Sequence, residues 1–299
     1  MTSTKAIVDA SAAGSWRLGD LSVNRLGFGA MRVTGSAAFD LGAPSERETA
    51  IGVLRRAVEL GVNHIDTAAI YFSRLRSANE LINTALAPYS DELVIATKVG
   101  PGRDASGEWY SASPEQLRGQ VEENLRQLGR DHLDVVNLRR MPAVSSISEH
   151  FGVLAELREE GLIRHLGVSN VTVEHLAEAQ AIAPVVCVQN RFGLGLQEHD
   201  EVLARCGEQG IAFVPFFAIA GETRERGAAA RAGEDERVAE VAQAHGASPA
   251  QVRLAWTLHQ GPHVLAIPGT GNREHLEENV AAGALRLTTE ELAKLGPLG

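Results

Sequence analysis

Asp66, Tyr71 and Lys98 bring a carboxylate, a phenol and an amine together in two short stretches, Asn63-His64-Ile65-Asp66-Thr67-Ala68-Ala69-Ile70-Tyr71 and Ala96-Thr97-Lys98, at the ends of two apolar runs. A free tyrosine, with a pKa of about 10, is too weak an acid to hand its proton to a carbonyl at neutral pH. An adjacent ammonium favours the phenolate and lowers that value, and a carboxylate beside the ammonium keeps it charged and in place. The three types together fit a general acid, with Tyr71 as proton donor, Lys98 as the group that tunes it and Asp66 as the anchor of Lys98. Singly, each has an ordinary reading: a helix cap, a rim aromatic, a solvated strand end. Their joint placement is what points to chemistry.

The elements that must position these residues can be read from the hydropathy pattern. Short apolar runs ending in polar residues alternate with helical patterns: Leu26 to Ala30, Val62 to Asp66, Leu93 to Lys98, Leu133 to Leu138, Ile163 to Val168, Val185 to Gln189, Ile211 to Phe216 and Val264 to Ile267. Such alternation predicts parallel strands joined by crossover helices. Ser45-Glu46-Arg47-Glu48 reads as a capping box opening a helix with Ile51, Leu54 and Val58 on one face and Gly61 at its end. Ser113-Pro114-Glu115-Gln116 and Ser248-Pro249-Ala250-Gln251 open two further helices by the same device. No strand is followed by GxGxxG, which favours a closed α/β barrel over an open doubly wound sheet. The expected organisation is a single domain over residues 16–299 behind a loose tail over residues 1–15. In such barrels chemistry sits at the carboxyl ends of the strands, where Asp66, Lys98, Asn137, Ser169, Asn170, Gln189 and Phe216 all fall.

Composition bounds the alternatives. A chain of 299 residues with 44% hydrophobic content can build one large core. No apolar run reaches the roughly 18 residues that cross a bilayer, and the first residues lack a signal-peptide pattern, so a cytoplasmic protein is expected. A net charge of −10 argues against general nucleic-acid binding, which needs a concentrated basic face. Cys187 and Cys206 have neither CxxC nor zinc-finger spacing and read as inert thiols. No HExxH, GxSxG or P-loop is present, so no metal site is expected, and His64 reads as a packing residue. The run Glu234-Asp235-Glu236-Arg237 reads as a solvated helix start.

At this point the sequence resembles a family, the aldo-keto reductases. The resemblance is carried by Arg25-Leu26-Gly27-Phe28-Gly29-Ala30-Met31, by the Asp66 to Tyr71 segment with Asn79-Glu80 and Ala96-Thr97-Lys98, and by Gly167-Val168-Ser169-Asn170. Val188-Gln189-Asn190 and Ile267-Pro268-Gly269-Thr270 to Glu278-Asn279 continue it, so that nearly the whole chain from Trp16 is covered. It implies a (β/α)8 TIM barrel and NADPH-dependent reduction of an aldehyde or ketone. Asp66, Tyr71 and Lys98 would be catalytic, and Asn137 in Val135-Val136-Asn137-Leu138-Arg139 would stand where most of the family carries a histidine. An asparagine can orient a carbonyl oxygen but cannot relay a proton. The same asparagine resembles potassium-channel β subunits, which suggests a second class of function, a cofactor-binding sensor or interaction subunit with vestigial activity. A third, a barrel isomerase or lyase using Lys98 as a Schiff-base amine, fits the Asp66 and Tyr71 pairing poorly.

The resemblance also implies the cofactor site. Ser169, Asn170 and Gln189 would bind the nicotinamide carboxamide, and Phe216 would stack on its ring. Gly269 and Thr270 would meet phosphate at the start of a helix near Arg273, which is the nearest cation for a 2′-phosphate. Glu278 and Asn279 would contact adenine, and His275 replaces an arginine often found there; NADPH is expected over NADH on the family's habit. Trp109 and Tyr110 are candidate walls of the substrate pocket, with Phe217 to Glu236 as a second loop. The motif combination looks like a bacterial branch that includes pyridoxal reductases, making a vitamin-B6 aldehyde a candidate substrate. The expected partner is a small-molecule carbonyl compound, without nucleic acid or membrane, and a monomer is compatible with these residues.

Overall fold

Bracketed by glycine, proline or polar residues, seven of the apolar runs pair as one parallel sheet. The computed structural model describes residues 8–36, 42–103, 108–142, 144–196, 198–219 and 236–296. The strands are β1 (Phe28–Gly29), β2 (His64–Asp66), β3 (Val94–Val99), β4 (Leu133–Arg139), β5 (Ile163–Ser169), β6 (Val185–Gln189) and β7 (Ala212–Phe213), neighbours in chain order. All are parallel. The run Val264 to Ile267, expected as an eighth strand, instead makes isolated bridges to both edges of the sheet: Val264 to Phe213 and Ala266 to Leu26. Leu265 N–H donates to Phe213 O at 2.9 Å and Ala266 N–H to Arg25 O at 2.8 Å. Pro262 and Pro268 close in on this run from either side, and neither offers the N–H a longer ladder needs.

Helices pack on the outside: α1 (Arg47–Glu59), α2 (Ala78–Leu86), α3 (Pro114–Leu128), α4 (Ser148–Glu159), α5 (Val173–Gln180), α6 (Asp200–Gln209), α7 (Glu236–His245), α8 (Pro249–His259), α9 (Arg273–Ala281) and α10 (Thr289–Leu295). Gln116 and Gln251 reach back to the N–H groups of Ser113 and Ser248 at 2.9 and 2.8 Å, as their spacing predicts. The box expected at Ser45 does not form. Its hydroxyl donates to Val33 O at 2.6 Å because the chain around Thr34 pairs with residues 43–45, and Glu46 starts α1 without a side-chain cap. The buried stripe of α1 is Ala50, Ile51, Val53, Leu54 and Ala57, which leaves Val58 at its edge and 37% exposed.

The loose tail expected over residues 1–15 is packed where it is described. Ala10–Ala13 is a 3-10 turn capped by Asp9, Ala10 is fully buried, and Arg286 donates to Ala12 O at 2.6 Å. Residues 1–7 lie outside the described residues, as does most of the Phe217 to Glu236 loop with Glu234 and Asp235. A hairpin that the pattern did not predict, Ser15–Leu18 with Leu21–Asn24, follows. It inserts Leu18, Leu21 and Val23 among Val94, Ala96, Val135, Cys187, Ala212, Val214 and Leu265, the core inside the curl of the sheet. Asp20 at its turn pairs with Arg164 and His165 near the start of β5. The hairpin thus fills the amino-terminal end of the curl, and the carboxyl ends remain for the site. Among the described residues no helix is long and apolar enough to cross a membrane.

Candidate active site

Residues opposite one another in a ladder point to the same face, and every second residue of a strand shares it. Val94 and Ala96 belong to the inner core, so the registers assign the inward face. Asp66 lies opposite Ala96, Lys98 opposite Asn137, Asn137 opposite Gly167, and Arg139 opposite Ser169, which in turn lies opposite Gln189. Asp66, Lys98, Asn137, Arg139, Ser169 and Gln189 therefore all point inward at the carboxyl ends of their strands.

Lys98 and Asp66 form a buried ion pair, Nζ to Oδ1 at 2.5 Å, with their side chains 3% and 4% exposed. Nζ also donates to Thr67 O at 3.1 Å and lies 5.0 Å from the centre of the Tyr71 ring. Burial opposes the charge on Lys98, but the Asp66 carboxylate and the Tyr71 phenol, which also hydrogen-bonds the amine, hold the ammonium above the usual lysine range. Asp66 Oδ2 takes a second bond, from Gln189 Nε2 at 2.6 Å. A buried amide network braces the lysine from outside the curl. Thr67 Oγ1 donates to Asn79 Oδ1 at 2.7 Å, Asn79 Nδ2 to Asn124 Oδ1 at 3.0 Å, and Thr97 Oγ1 to the same Asn124 oxygen at 2.6 Å. Asn124 was missed in the sequence because an asparagine inside an amphipathic helix carries no periodic signal.

Asn137 is fully buried and engaged at both ends of its amide. The Cys187 thiol donates to its Oδ1 at 3.2 Å, and its Nδ2 donates to Thr97 O at 3.5 Å. Gly167 makes room for this contact, since a Cβ there would fall 2.2 Å from Asn137 Oδ1 and 2.6 Å from Cys187 Sγ. The side chain expected at the carbonyl is therefore packed toward Cys187. Two residues further on, Arg139 takes the last inward position of β4, half-buried, with its guanidinium 5.0 Å from the centre of the Phe216 ring. The strand period of two, counted from Val135 through Asn137, was the signal that could have found it.

Ser169 Oγ and Gln189 Oε1 are buried without a hydrogen-bond partner among the described residues. Asn170, at φ 61°, donates its amide to Arg140 O at 2.9 Å and takes its backbone place against Gln189 O. Phe216 meets Phe217 edge to face at 5.0 Å, and Phe217 has φ 66°, a left-handed backbone costly for a non-glycine residue. Gly29 and Gly269 pass so closely that a Cβ on Gly269 would lie 2.5 Å from Gly29 O. Thr270 is buried and accepts from Asn272 N–H at 3.1 Å. Asn272 caps α9 by accepting from Glu274 and His275 N–H, at 2.7 and 3.2 Å. Arg273, His275 and Glu278 are exposed on α9 and Asn279 is buried. Trp109 and Tyr110, 42% and 37% exposed, stand on a hairpin of Pro101–Arg103 with Trp109–Ser111; Arg103 lies 5.4 Å from the Trp109 ring. Residues 104–107 lie outside the described residues.

Burial pushes the Cys187 thiol up, and the Cys206 thiol to about 12, so neither is a ready nucleophile. Among the described residues no group of three His, Cys, Asp or Glu could hold a metal ion. His64 is buried against Gly27, and burial lowers its pKa to about 4.

Residues 25–297 match the sequence profile of the Aldo/keto reductase family. Over 291 residues the chain is 44% identical to pyridoxine 4-dehydrogenase of Escherichia coli (strain K12), covering 95% of this chain and 98% of that protein. An uncharacterized oxidoreductase of Schizosaccharomyces pombe is 40% identical, covering 100% of this chain and 94% of its own. Among solved structures, a thermostable aldo-keto reductase in complex with the inhibitor epalrestat superposes with a TM-score of 0.79 at 30% identity, covering 95% of this chain and 99% of that one. An aldo/keto reductase from Klebsiella pneumoniae in complex with NADP and acetate has a TM-score of 0.73 at 27% identity, covering 92% and 90%.

Proposed function

The chain belongs to the aldo/keto reductase family, and from that membership we propose that it reduces an aldehyde or ketone to the alcohol with NADPH, with pyridoxal as its substrate. We read the curled sheet, with the Val264 and Ala266 bridges across its two edges, as a (β/α)8 barrel. The observation that carries the functional reading is the buried Asp66–Lys98 pair held against the Tyr71 ring. A buried ion pair is weak evidence for stability alone, and here its charge sits beside the Tyr71 phenol.

The residues present fit a nicotinamide cofactor. Ser169 Oγ and Gln189 Oε1 are buried polar atoms without partners among the described residues, and such atoms are costly unless a ligand meets them. The Asp66 bond to Gln189 Nε2 fixes which end of that amide faces inward, leaving Oε1 as an acceptor. Phe216 offers a ring face, and Asn170 belongs to the same rim. Gly269, Thr270, Arg273, His275, Glu278 and Asn279 would hold the phosphates and adenosine. What such a cofactor supplies is hydride transfer to the carbonyl carbon. Tyr71 gives its proton to the carbonyl oxygen, and the Lys98 ammonium stabilises the phenolate left behind. Asp66 keeps Lys98 charged and aimed at Tyr71. Trp109 and Tyr110 would wall the outer pocket.

The second reading, a cofactor-binding sensor with vestigial activity, rests on Asn137 standing where most of the family carries a histidine, and NADPH binding without turnover of any aldehyde would favour it. Adding NADPH and a panel of aldehydes including pyridoxal to pure protein, and following loss of the reduced cofactor, tests the reading. Turnover of pyridoxal with a thermal shift on NADPH is expected, because a ligand bound only by the folded state stabilises it. Absence of both the shift and any turnover would overturn the assignment.

A further inference from the structure

Arg139 stands out among the arginines of the core. Arg25 donates to the carbonyls of Ala13, Leu258, Gly261 and Val264; Arg130 pairs with Asp134; Arg140 donates to Asn170 and Val144 carbonyls. Arg139 makes no ion pair and no side-chain hydrogen bond among the described residues, and its one contact of this kind is the Phe216 ring. A half-buried guanidinium carries five N–H donors in a planar fork matched to carboxylates and other oxyanions. Stacking on an aromatic face steadies its plane but satisfies none of those donors. In a chain with ten more acidic than basic residues, an inward guanidinium that pairs with no carboxylate among the described residues is a ready partner for an anion.

Its position says which anion. Arg139 is the inward residue directly above Asn137, which lies opposite Lys98, and it lies opposite Ser169. It therefore opens on the space that the Lys98 and Tyr71 pair serves. Among the described residues the inward strand ends there carry two cations, Lys98 and Arg139, and one carboxylate, Asp66, so an anionic substituent is attracted there and a further cation is disfavoured.

We propose that Arg139 is the substrate-anchoring residue of the site, and that the carbonyl compound it takes carries an anionic oxygen close to the reacting carbon, either an ionised hydroxyl ortho to an aromatic aldehyde or a carboxylate. This rests on the reductase reading and narrows its substrate class. The fork grips the anionic oxygen, fixing the neighbouring carbonyl toward Tyr71. The reaction is otherwise unchanged: hydride from NADPH forms the new C–H bond, the C=O π pair moves to oxygen, Tyr71 supplies the proton, and NADP+ and the alcohol result.

The test uses the NADPH-loaded protein with matched substrates: pyridoxal against its 3-O-methyl ether, and 2-carboxybenzaldehyde against 4-carboxybenzaldehyde and benzaldehyde. Loss of one charge-assisted hydrogen-bonded contact predicts kcat/KM favouring an adjacent-anion member over its partner by about 10- to 100-fold, with the preference carried in KM. The first pair answers for the ionised hydroxyl and the second for the carboxylate. Arg139→Met should collapse the preference to near unity and Arg139→Lys should restore part of it, while the NADPH dissociation constant stays within about threefold in both. An unchanged preference in Arg139→Met overturns the proposal. So does a parallel loss of NADPH affinity, which would make Arg139 a cofactor residue. Salicylate binding to the NADP+ complex, measured by calorimetry, needs no turnover: it should weaken at least about tenfold in Arg139→Met. If no aldehyde is reduced but this loss is seen, the reductase reading fails and the anion site stands; if salicylate binds parent and variant alike, the anion site fails.

Discussion

The Cys187 thiol donates to the Asn137 amide oxygen at 3.2 Å, directly across the ladder from the glycine that leaves it room. Asn137 is thereby engaged at both ends of its amide, level with Lys98 in the ladder. Asn137→Ala should lower stability by about 1–3 kcal/mol, since a buried thiol loses its acceptor. Its kcat should fall less than about 10-fold, whereas loss of a donor aimed at the carbonyl typically costs on the order of 10²- to 10³-fold. Urea unfolding and steady-state kinetics on the same protein check both numbers.

On the proposed mechanism Tyr71→Phe removes the acid, so it should lower carbonyl turnover by about 10²-fold or more, with cofactor binding retained in fluorescence titration. Lys98→Met should cost activity similarly, and should also destabilise by about 3–5 kcal/mol because Asp66 is left buried and unpaired. Adding Asp66→Asn to Lys98→Met should recover part of that stability and none of the turnover. Recovery of both would mean that the pair is only structural.

The amide network behind the lysine predicts a positioning effect. Asn124 Oδ1 accepts from both Asn79 and Thr97, so Asn124→Leu orphans two buried donors at about 1–3 kcal/mol each. If the network holds the Thr67 carbonyl on Lys98, the pH profile of kcat should shift in this variant. Thermal melting separates the stability loss from that shift.

His64 sets an expectation for acid. Its pKa is lowered to about 4 in the folded protein, first by burial and further by Lys98, with Asp66 opposing. The unfolded chain takes up the proton first, at about 6.5, so stability is lost as pH falls from there toward 4. The loss traceable to His64 should reach up to ~3 kcal/mol near pH 4. His64→Asn should flatten the curve of unfolding free energy between those pH values, and an unaltered slope would assign the acid sensitivity to other groups.

Much of this was legible in the chain. Seven of the eight apolar runs became strands of one parallel sheet, because each is a short apolar stretch between breakers and helical spacing intervenes. Asp66 and Lys98 could be read as partners because both end such runs, and they meet at 2.5 Å. The hairpin of Ser15–Leu18 and Leu21–Asn24 was not legible, since two four-residue strands with mixed burial look like a polar leader until there is a core for Leu18, Leu21 and Val23 to fill. The failed cap at Ser45 has the same origin: a hydroxyl takes the nearest free carbonyl, and Val33 O is near only in the folded chain.

What the sequence by itself determined is the set of inward residues, because a strand alternates sides with a period of two and the residue types at strand ends can be counted. Asn137 and Arg139 are equals by that count. Only the tertiary structure decided between them. Strand register sets Asn137 level with Lys98 and Gly167, where a side chain without a Cβ neighbour turns to Cys187, and lifts Arg139 one layer higher, against Phe216 and opposite Ser169. Register depends on which strands become neighbours and how far each is shifted along the next, and that is a property of the assembled sheet, absent from any single strand.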